Sequence, residues 1–320
     1  MSTPSTTSSR PAPASPPSSG RGLPSRLWRW LGTMVRPLLW LNLAVEIGIV
    51  LTGGLVRLTA SGLGCPRWPE CHEGSITPVV TPADGWHPYI EFGNRTLTGL
   101  VGIVALLLIL AIIARGGDSR ARQLPFAIAV LVGIAVQAVL GGITVLTSLH
   151  PATVSAHFLV SMVLVAASAA VLWFDRTADA VTPDPLPRPV NVVAFFTAFL
   201  GGVVLLLGTF VTGAGPHSGD ADEPARYPWD PQTMSWLHAD SVMLFCGLVV
   251  AMLLALHLLP QASREARAAW WGVLFVSLAQ GALGYVQYAL AVPEALVWLH
   301  MLGACLLTWA LTWAVLAVRR

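Results

Sequence analysis

Apolar residues fall into eight runs along the chain, at about 37–57, 95–114, 124–147, 152–174, 191–212, 235–258, 269–290 and 294–318. Each is close to the length needed to cross roughly 30 Å of hydrocarbon at about 1.5 Å per residue. Short connections rich in Gly, Pro and charged residues separate them. The pattern predicts an all-α integral membrane protein with eight transmembrane helices. The fourth and eighth runs are interrupted near their starts by His157 and His300. Ahead of the first run, residues 1–26 are rich in Ser, Thr and Pro and nearly lack apolar side chains. Such a composition cannot bury enough surface to offset its ordering entropy, so residues 1–36 are expected to form a disordered cytoplasmic tail. The first run is too long for a cleaved signal peptide, and no small-residue cleavage site follows it.

Composition agrees with this reading. The chain of 320 residues is 55% hydrophobic and only 11% charged, about half the charged share of a soluble domain. All 18 basic residues are Arg, and their placement predicts orientation. Fourteen lie before the first run, in the even-to-odd connections or at the end of the chain. Arg57, Arg67, Arg95 and Arg226 are left for the other side. Both termini are therefore expected in the cytoplasm of a cell whose plasma (inner) membrane holds the protein. Segment 213–234, with Asp220, Asp222, Glu223 and Asp230, is then outside.

The two halves resemble each other. Gln137-Ala-Val-Leu140-Gly141 precedes His157, and Gln280-Gly-Ala-Leu283-Gly284 precedes His300, by the same interval and at a common offset of 143 residues. At an offset of 144, Asn94 aligns with His238. Duplication predicts two repeated four-helix bundles, at 37–174 and 191–320, joined by a cytoplasmic linker at 175–190. An even number of helices per unit makes the repeat parallel about the membrane normal.

Imidazoles inside apolar runs are costly and point to function. His238 and His300 fall at similar depth in helices that both enter from outside, so they can clamp a haem through its iron. The alternative is an interfacial histidine bonded to backbone. His157, the repeat partner of His300, is a ligand candidate in the first bundle, where Asn94 occupies the mate position. That site is then five-coordinate, or borrows His87 or His150 from an outer loop. Glu91 precedes Asn94 by one turn. It suits a proton acceptor beside an open haem face, or simply a partner for Arg95. Arg57 and Arg95 can pair with haem propionates, or anchor helix ends. Cys65 and Cys71 lie in the first outside loop, where an oxidising compartment permits either a disulfide or a redox-active pair. Cys246 and Cys305 read as packing residues, and the roles of His217 and Asp220 are left open.

Gly53-Gly-Leu-Val-Arg57-Leu-Thr-Ala-Ser-Gly62-Leu-Gly-Cys65-Pro-Arg-Trp-Pro-Glu-Cys71 resembles the first-loop signature of the haem A synthase family. So do Glu91-Phe-Gly-Asn-Arg95, the two Gln-x-x-Leu-Gly motifs, Gly213-Ala-Gly-Pro-His217, Trp236-Leu-His238-Ala-Asp240 and Trp298-Leu-His300, in family order from about 37 to 318. The resemblance implies oxidation of the C8 methyl of haem O to the formyl group of haem A, by successive hydroxylations and loss of water. It implies haem b on His238 and His300, substrate haem on His157, Glu91 as the catalytic carboxylate and Cys65–Cys71 as the loop pair. Implied partners are a farnesyltransferase that supplies haem O, the cytochrome oxidase assembly machinery, membrane lipid and a second copy of the chain, with no nucleic acid. Two features depart from the family. Many relatives carry His at the position of Asn94, and the second-half outer loop lacks a cysteine pair.

Two rival functions are weighed. A dihaem b-type electron carrier needs two closed bis-His sites, one near each face. A transporter needs broken helices and polar midplane groups, for which Glu46 is thin support.

Overall fold

A computed structural model describes residues 23–79, 85–180, 184–220, 222 and 224–319. The described residues form nine helices: α1 (Leu23–Thr33), α2 (Val35–Leu58), α3 (His87–Arg115), α4 (Ser119–Leu146), α5 (Pro151–Arg176), α6 (Arg188–Ala214), α7 (Pro231–Leu258), α8 (Arg264–Ala289) and α9 (Glu294–Val318). The eight from α2 onward are long and apolar enough to cross a membrane, and this is a multi-pass membrane protein. Many of their large apolar side chains point outward. Phe195, Phe199, Leu254 and Phe275 are among the most exposed, as expected where lipid is the solvent.

One helix departs from the expectation. Residues 23–33, assigned by composition to a disordered tail over 1–36, form α1, while residues 1–22 lie outside the described residues. In this segment Trp28, Trp30 and Leu31 alternate with Arg26 and Arg29. Leu31 packs on the core, and Gly32 meets the backbone of Arg115 at the end of α3. A bulky residue at Gly32 would hold the two helices apart. Exposed Leu27, Trp28 and Trp30 beside arginines give the mix expected of a helix lying in a membrane interface.

The helices close into two rings. α2, α3, α4 and α5 pack in sequence, and α5 returns to α2; α6, α7, α8 and α9 do the same. Between the rings, α5 packs on α9, α2 on α9 and α6 on α5. That set of contacts maps onto itself when the halves are exchanged, as a two-fold axis requires. Two indole N–H groups stitch the seam: Trp298 Nε1 donates to the Leu51 carbonyl at 3.0 Å, and Trp313 Nε1 to that of Ala169 at 3.1 Å.

The duplication extends to backbone detail. Ser148 and Leu149 adopt φ of 50° and 55° in the turn before α5, and Ala291 and Val292 adopt 57° and 63° before α9. Side chains rarely tolerate this left-handed region, least of all a β-branched one. Each turn is closed by the same bond: Leu149 N donates to the Thr144 carbonyl, and Val292 N to that of Gln287, both at 2.8 Å. A strained turn kept in both halves sets the entry of the helix that carries His157 or His300. At the opposite, arginine-rich end, buried Asp175 accepts from Arg115, Arg36 and Gln123 and pins α5 to α2, α3 and α4.

Candidate functional site

The Gln of each repeated motif holds the histidine-bearing helix. Gln137 Nε2 donates to the His157 carbonyl at 2.9 Å, and Gln280 Nε2 to that of His300 at 2.8 Å. Each imidazole then faces a glycine on a neighbouring helix. A methyl group added at Gly141 would stand 3.4 Å from His157 Cε1, at Gly284 3.5 Å from His300 Cε1, and at Gly208 3.3 Å from His238 Cε1. At the fourth position the pattern persists, with Gly53 facing Asn94 Nδ2 at 3.8 Å. Four related helix pairs thus share one design, in which a glycine clears the wall beside a ring or an amide.

His238 and His300 come near enough to interact electrostatically. In His157 and His300, Nδ1 is sealed from solvent without a hydrogen-bond partner, while the buried His238 ring lies against the Val204 carbonyl. A buried polar atom left unpaired costs about 1–3 kcal/mol, so two at repeat-related positions call for an explanation other than packing. Among the described residues no group of three or more His, Cys, Asp or Glu is arranged to hold a bare metal ion. A pair of neighbouring imidazoles and a single one instead fit axial ligation of a macrocycle that brings four ligands of its own. The donor set suits haem.

In the first bundle, Asn94 is not free. The Thr52 hydroxyl donates to Asn94 Oδ1 at 2.7 Å. His87 and His150, considered above as alternative ligands, are exposed at helix starts and engaged there. Ser61 Oγ bonds His87 Nδ1 at 2.9 Å, and His150 Nδ1 caps α5 by accepting from Ala152 N at 3.3 Å. Of these three candidate ligands, His157 alone stands within a membrane-spanning helix with a buried, unpaired ring nitrogen.

Glu91 is buried, not a rim residue. Its Oε2 accepts from Cys65 N at 2.6 Å and its Oε1 from Arg95, through Nε at 3.1 Å and through Nη2. Arg95 continues to the carbonyls of Cys65 at 2.8 Å, Arg67 at 2.9 Å and Glu70 at 3.3 Å. All three of its nitrogens end on protein acceptors, so Arg95 clasps the loop onto α3. The loop in turn places Trp68 directly on Gly142, next to the glycine that faces His157. Arg57 reaches across the two halves: Nε donates to the His217 carbonyl at 2.6 Å and Nη2 to that of Thr212 at 3.2 Å. His217 Nε2 bonds the Val292 carbonyl at 2.8 Å. The histidine whose role the sequence left open thus ties the loop before α7 to the strained turn before α9.

Cys65 and Cys71 form a disulfide, and both residues are fully buried. Exchange requires access of a thiolate to sulfur, which favours a structural bond over a redox-active pair. The bond is expected to survive millimolar thiol reductant in the folded protein and to open only after denaturation. Mass spectrometry after alkylation checks this; labelling of both cysteines under native conditions would restore the redox reading. Free Cys246 is half-buried and Cys305 buried, both within helices.

Sequence reasoning missed Thr52, Gly53 and Gly208. Their signal was available: Gly53 and Gly208 each stand near the end of the first helix of a repeat, on the face turned to the ligand position.

A family model for cytochrome oxidase assembly proteins matches residues 36–217. The chain is 36% identical over 153 residues to a protein of Lysinibacillus sphaericus named haem A synthase, covering 45% of this chain and 48% of that protein. It is 27% identical over 310 residues to one of Methylorubrum populi with the same name, covering 81% of this chain and 80% of that protein. A third, from Rhizobium rhizogenes, is 25% identical over 326 residues, covering 86% and 85%. The match thus spans about half the length of the first of these relatives and most of the other two.

Proposed function

Because the chain belongs to the haem A synthase family of cytochrome oxidase assembly proteins, we propose that it oxidises the C8 methyl of haem O to a formyl group, with haem b on His238 and His300 and the substrate haem on His157. The observation that carries this reading is the matched set of ring and glycine pairs: His238 with Gly208, His300 with Gly284, His157 with Gly141. The asymmetry between the bundles supports a division of labour. Two imidazoles suit a permanently held, electron-transferring haem, whereas a single imidazole leaves one face for substrate chemistry and for exchange. Asn94, held by Thr52, does not close that face. The same feature speaks against a dihaem carrier with two bis-His sites.

When bound, the haem groups supply one-electron chemistry that the side chains cannot. The chain contributes position, shielding and proton handling. His157 fixes the substrate, and its helix is set by Gln137 and the strained turn at Ser148–Leu149. Glu91 is the proton acceptor, one turn before Asn94 on α3. Arg95 positions Glu91 and holds the disulfide loop, whose Trp68 covers the wall beside His157 and excludes water. Arg57 keeps the loops of both halves together at this end through the His217 and Thr212 carbonyls. In this reading the loop end faces the outside of the plasma membrane, both termini lie in the cytoplasm, and haem O arrives from a membrane farnesyltransferase for delivery to the oxidase assembly machinery.

Expression in cells that make haem O but lack their own synthase tests the activity. Haem A is expected to accumulate in their membranes, measured by chromatography of extracted haems. Only unchanged haem O and haem b, with the protein present and folded, would defeat the reading.

A further inference from the structure

Below the level of His157, the first bundle carries polar groups that the site described so far does not use. Asn42 and Glu46 on α2 are buried, at 1% and 3% exposure. Asn42 Oδ1 and Glu46 Oε1 are both sealed without a hydrogen-bond partner. Asn42 Nδ2 donates to Ser168 Oγ on α5 at 2.9 Å. Seven residues make almost two whole turns, so Glu46 shares a helix face with Gly53, roughly 10 Å deeper. By the same rule Ser161 and Ser168 share the face of His157 on α5, roughly 6 and 16 Å deeper. The Asn42–Ser168 bond joins the two stripes at one depth. Beneath it, Leu39, Leu108, Ile112 and Leu172 belong to a continuous apolar cluster. This layer separates the polar stripe from Asp175 and the arginine-rich end, and the helix faces that carry it lead up to Gly53 and His157.

The second bundle, built on the same frame, has nothing of the kind. At the repeat offset of 143, Ser161 and Ser168 correspond to Ala304 and Leu311. In the register that pairs Gly53 with Gly208, Asn42 corresponds to Thr197 and Glu46 to Gly201. The Thr197 hydroxyl is satisfied by the Val193 carbonyl at 2.8 Å. The wall at Gly201 is covered by Leu311 and Phe245. One duplicated site is therefore lined largely with hydrocarbon at a depth where the other presents a carboxyl oxygen and an amide oxygen without partners.

We propose that Glu46, assisted by Asn42 and Ser168, is a specificity determinant that hydrogen-bonds a hydroxyl on the buried edge of the macrocycle held by His157. This rests on the reading that the first bundle receives haem O. Haem O carries a hydroxyl on its alkyl chain, and haem b does not. A site that buries polar groups meant for a substrate hydroxyl disfavours the analogue lacking it, because those groups then stay unpaired. The apolar lining of the second bundle has no such preference, which sorts two similar haems between two similar bundles.

The test is equilibrium binding, not turnover. The purified full chain is titrated with haem O and, separately, with haem b. The component lost in His157→Ala defines the first-bundle site. Wild type is expected to hold haem O there at least about tenfold more tightly than haem b. Glu46→Leu should bring that ratio close to one, while Glu46→Gln, which keeps shape and a donor, should preserve most of it. Asn42→Leu, read on the same ratio, carries the test should Glu46→Leu not fold. An unchanged ratio in the Leu variants, or no preference in wild type, overturns the assignment while leaving the proposed activity standing. Absence of any His157-dependent haem binding in wild type overturns both.

Discussion

Purified His238→Ala and His300→Ala proteins are expected to lose the low-spin, b-type haem absorbance that the wild type carries. Each substitution removes one of the two imidazoles, on α7 and α9, proposed to hold the haem. The expected loss of haem retention is on the order of a hundredfold or more, because even outer-shell partners of a metal ligand typically cost 10- to 100-fold. The walls beside both rings are Gly208 and Gly284, and no cluster of further ligating residues surrounds them among the described residues. His257 is the matched control: it lies near the other end of α7, and its Nδ1 is bonded to the Leu253 carbonyl at 2.8 Å. His257→Ala should leave the spectrum unchanged. An unaltered spectrum in both His238→Ala and His300→Ala would sink the ligand assignment and, with it, the division of labour between the bundles.

The residues on which that expectation rests were legible in the sequence because the chain states them twice. Gln137 and His157 recur as Gln280 and His300 at one offset, and the structure repeats the bond between them. Long apolar runs likewise gave the spans, since period and length are local properties. The clasps were not legible. Arg95 reaches carbonyls 25 to 30 residues earlier, and Arg57 reaches Thr212 and His217 about 155 to 160 residues away. A guanidinium at a helix end looks the same in sequence whether it awaits a propionate or closes on backbone. Glu46 stood out as an acid in an apolar run, but its neighbours Asn42 and Ser168 are brought together only by the packing of α2 on α5. Helix α1 was not legible for a different reason. The alternation of Arg and Trp after residue 25 is too short to stand out beside a Ser- and Pro-rich segment, yet it suffices for a short amphipathic helix once α3 is there to receive it.

Glu91→Ala is expected to keep the haem on His238 and His300, since α3 does not contribute to that pair, yet to lower haem A formation by about a hundredfold or more, the lower range for removal of a general base. Two effects are entangled in this variant. The proposed mechanism gives the carboxylate the proton, and in the structure it also accepts the Cys65 N–H and Arg95. Its removal leaves a partly buried guanidinium and a buried N–H short of partners, at a stability cost of about 3 kcal/mol. Arg95→Gln separates the roles, because it opens the clasp on the Cys65–Cys71 loop while leaving the carboxyl in place. If Glu91 only held the loop, Glu91→Ala and Arg95→Gln would depress turnover equally and lower the melting temperature alike. If Glu91 accepts the proton, both variants lose stability. Glu91→Ala is then at least tenfold the slower, and Glu91→Asp recovers part of the rate without recovering stability. Equal rates in the two variants, with haem content intact in each, would reduce Glu91 to a clasp and leave the proton acceptor to be sought elsewhere around His157.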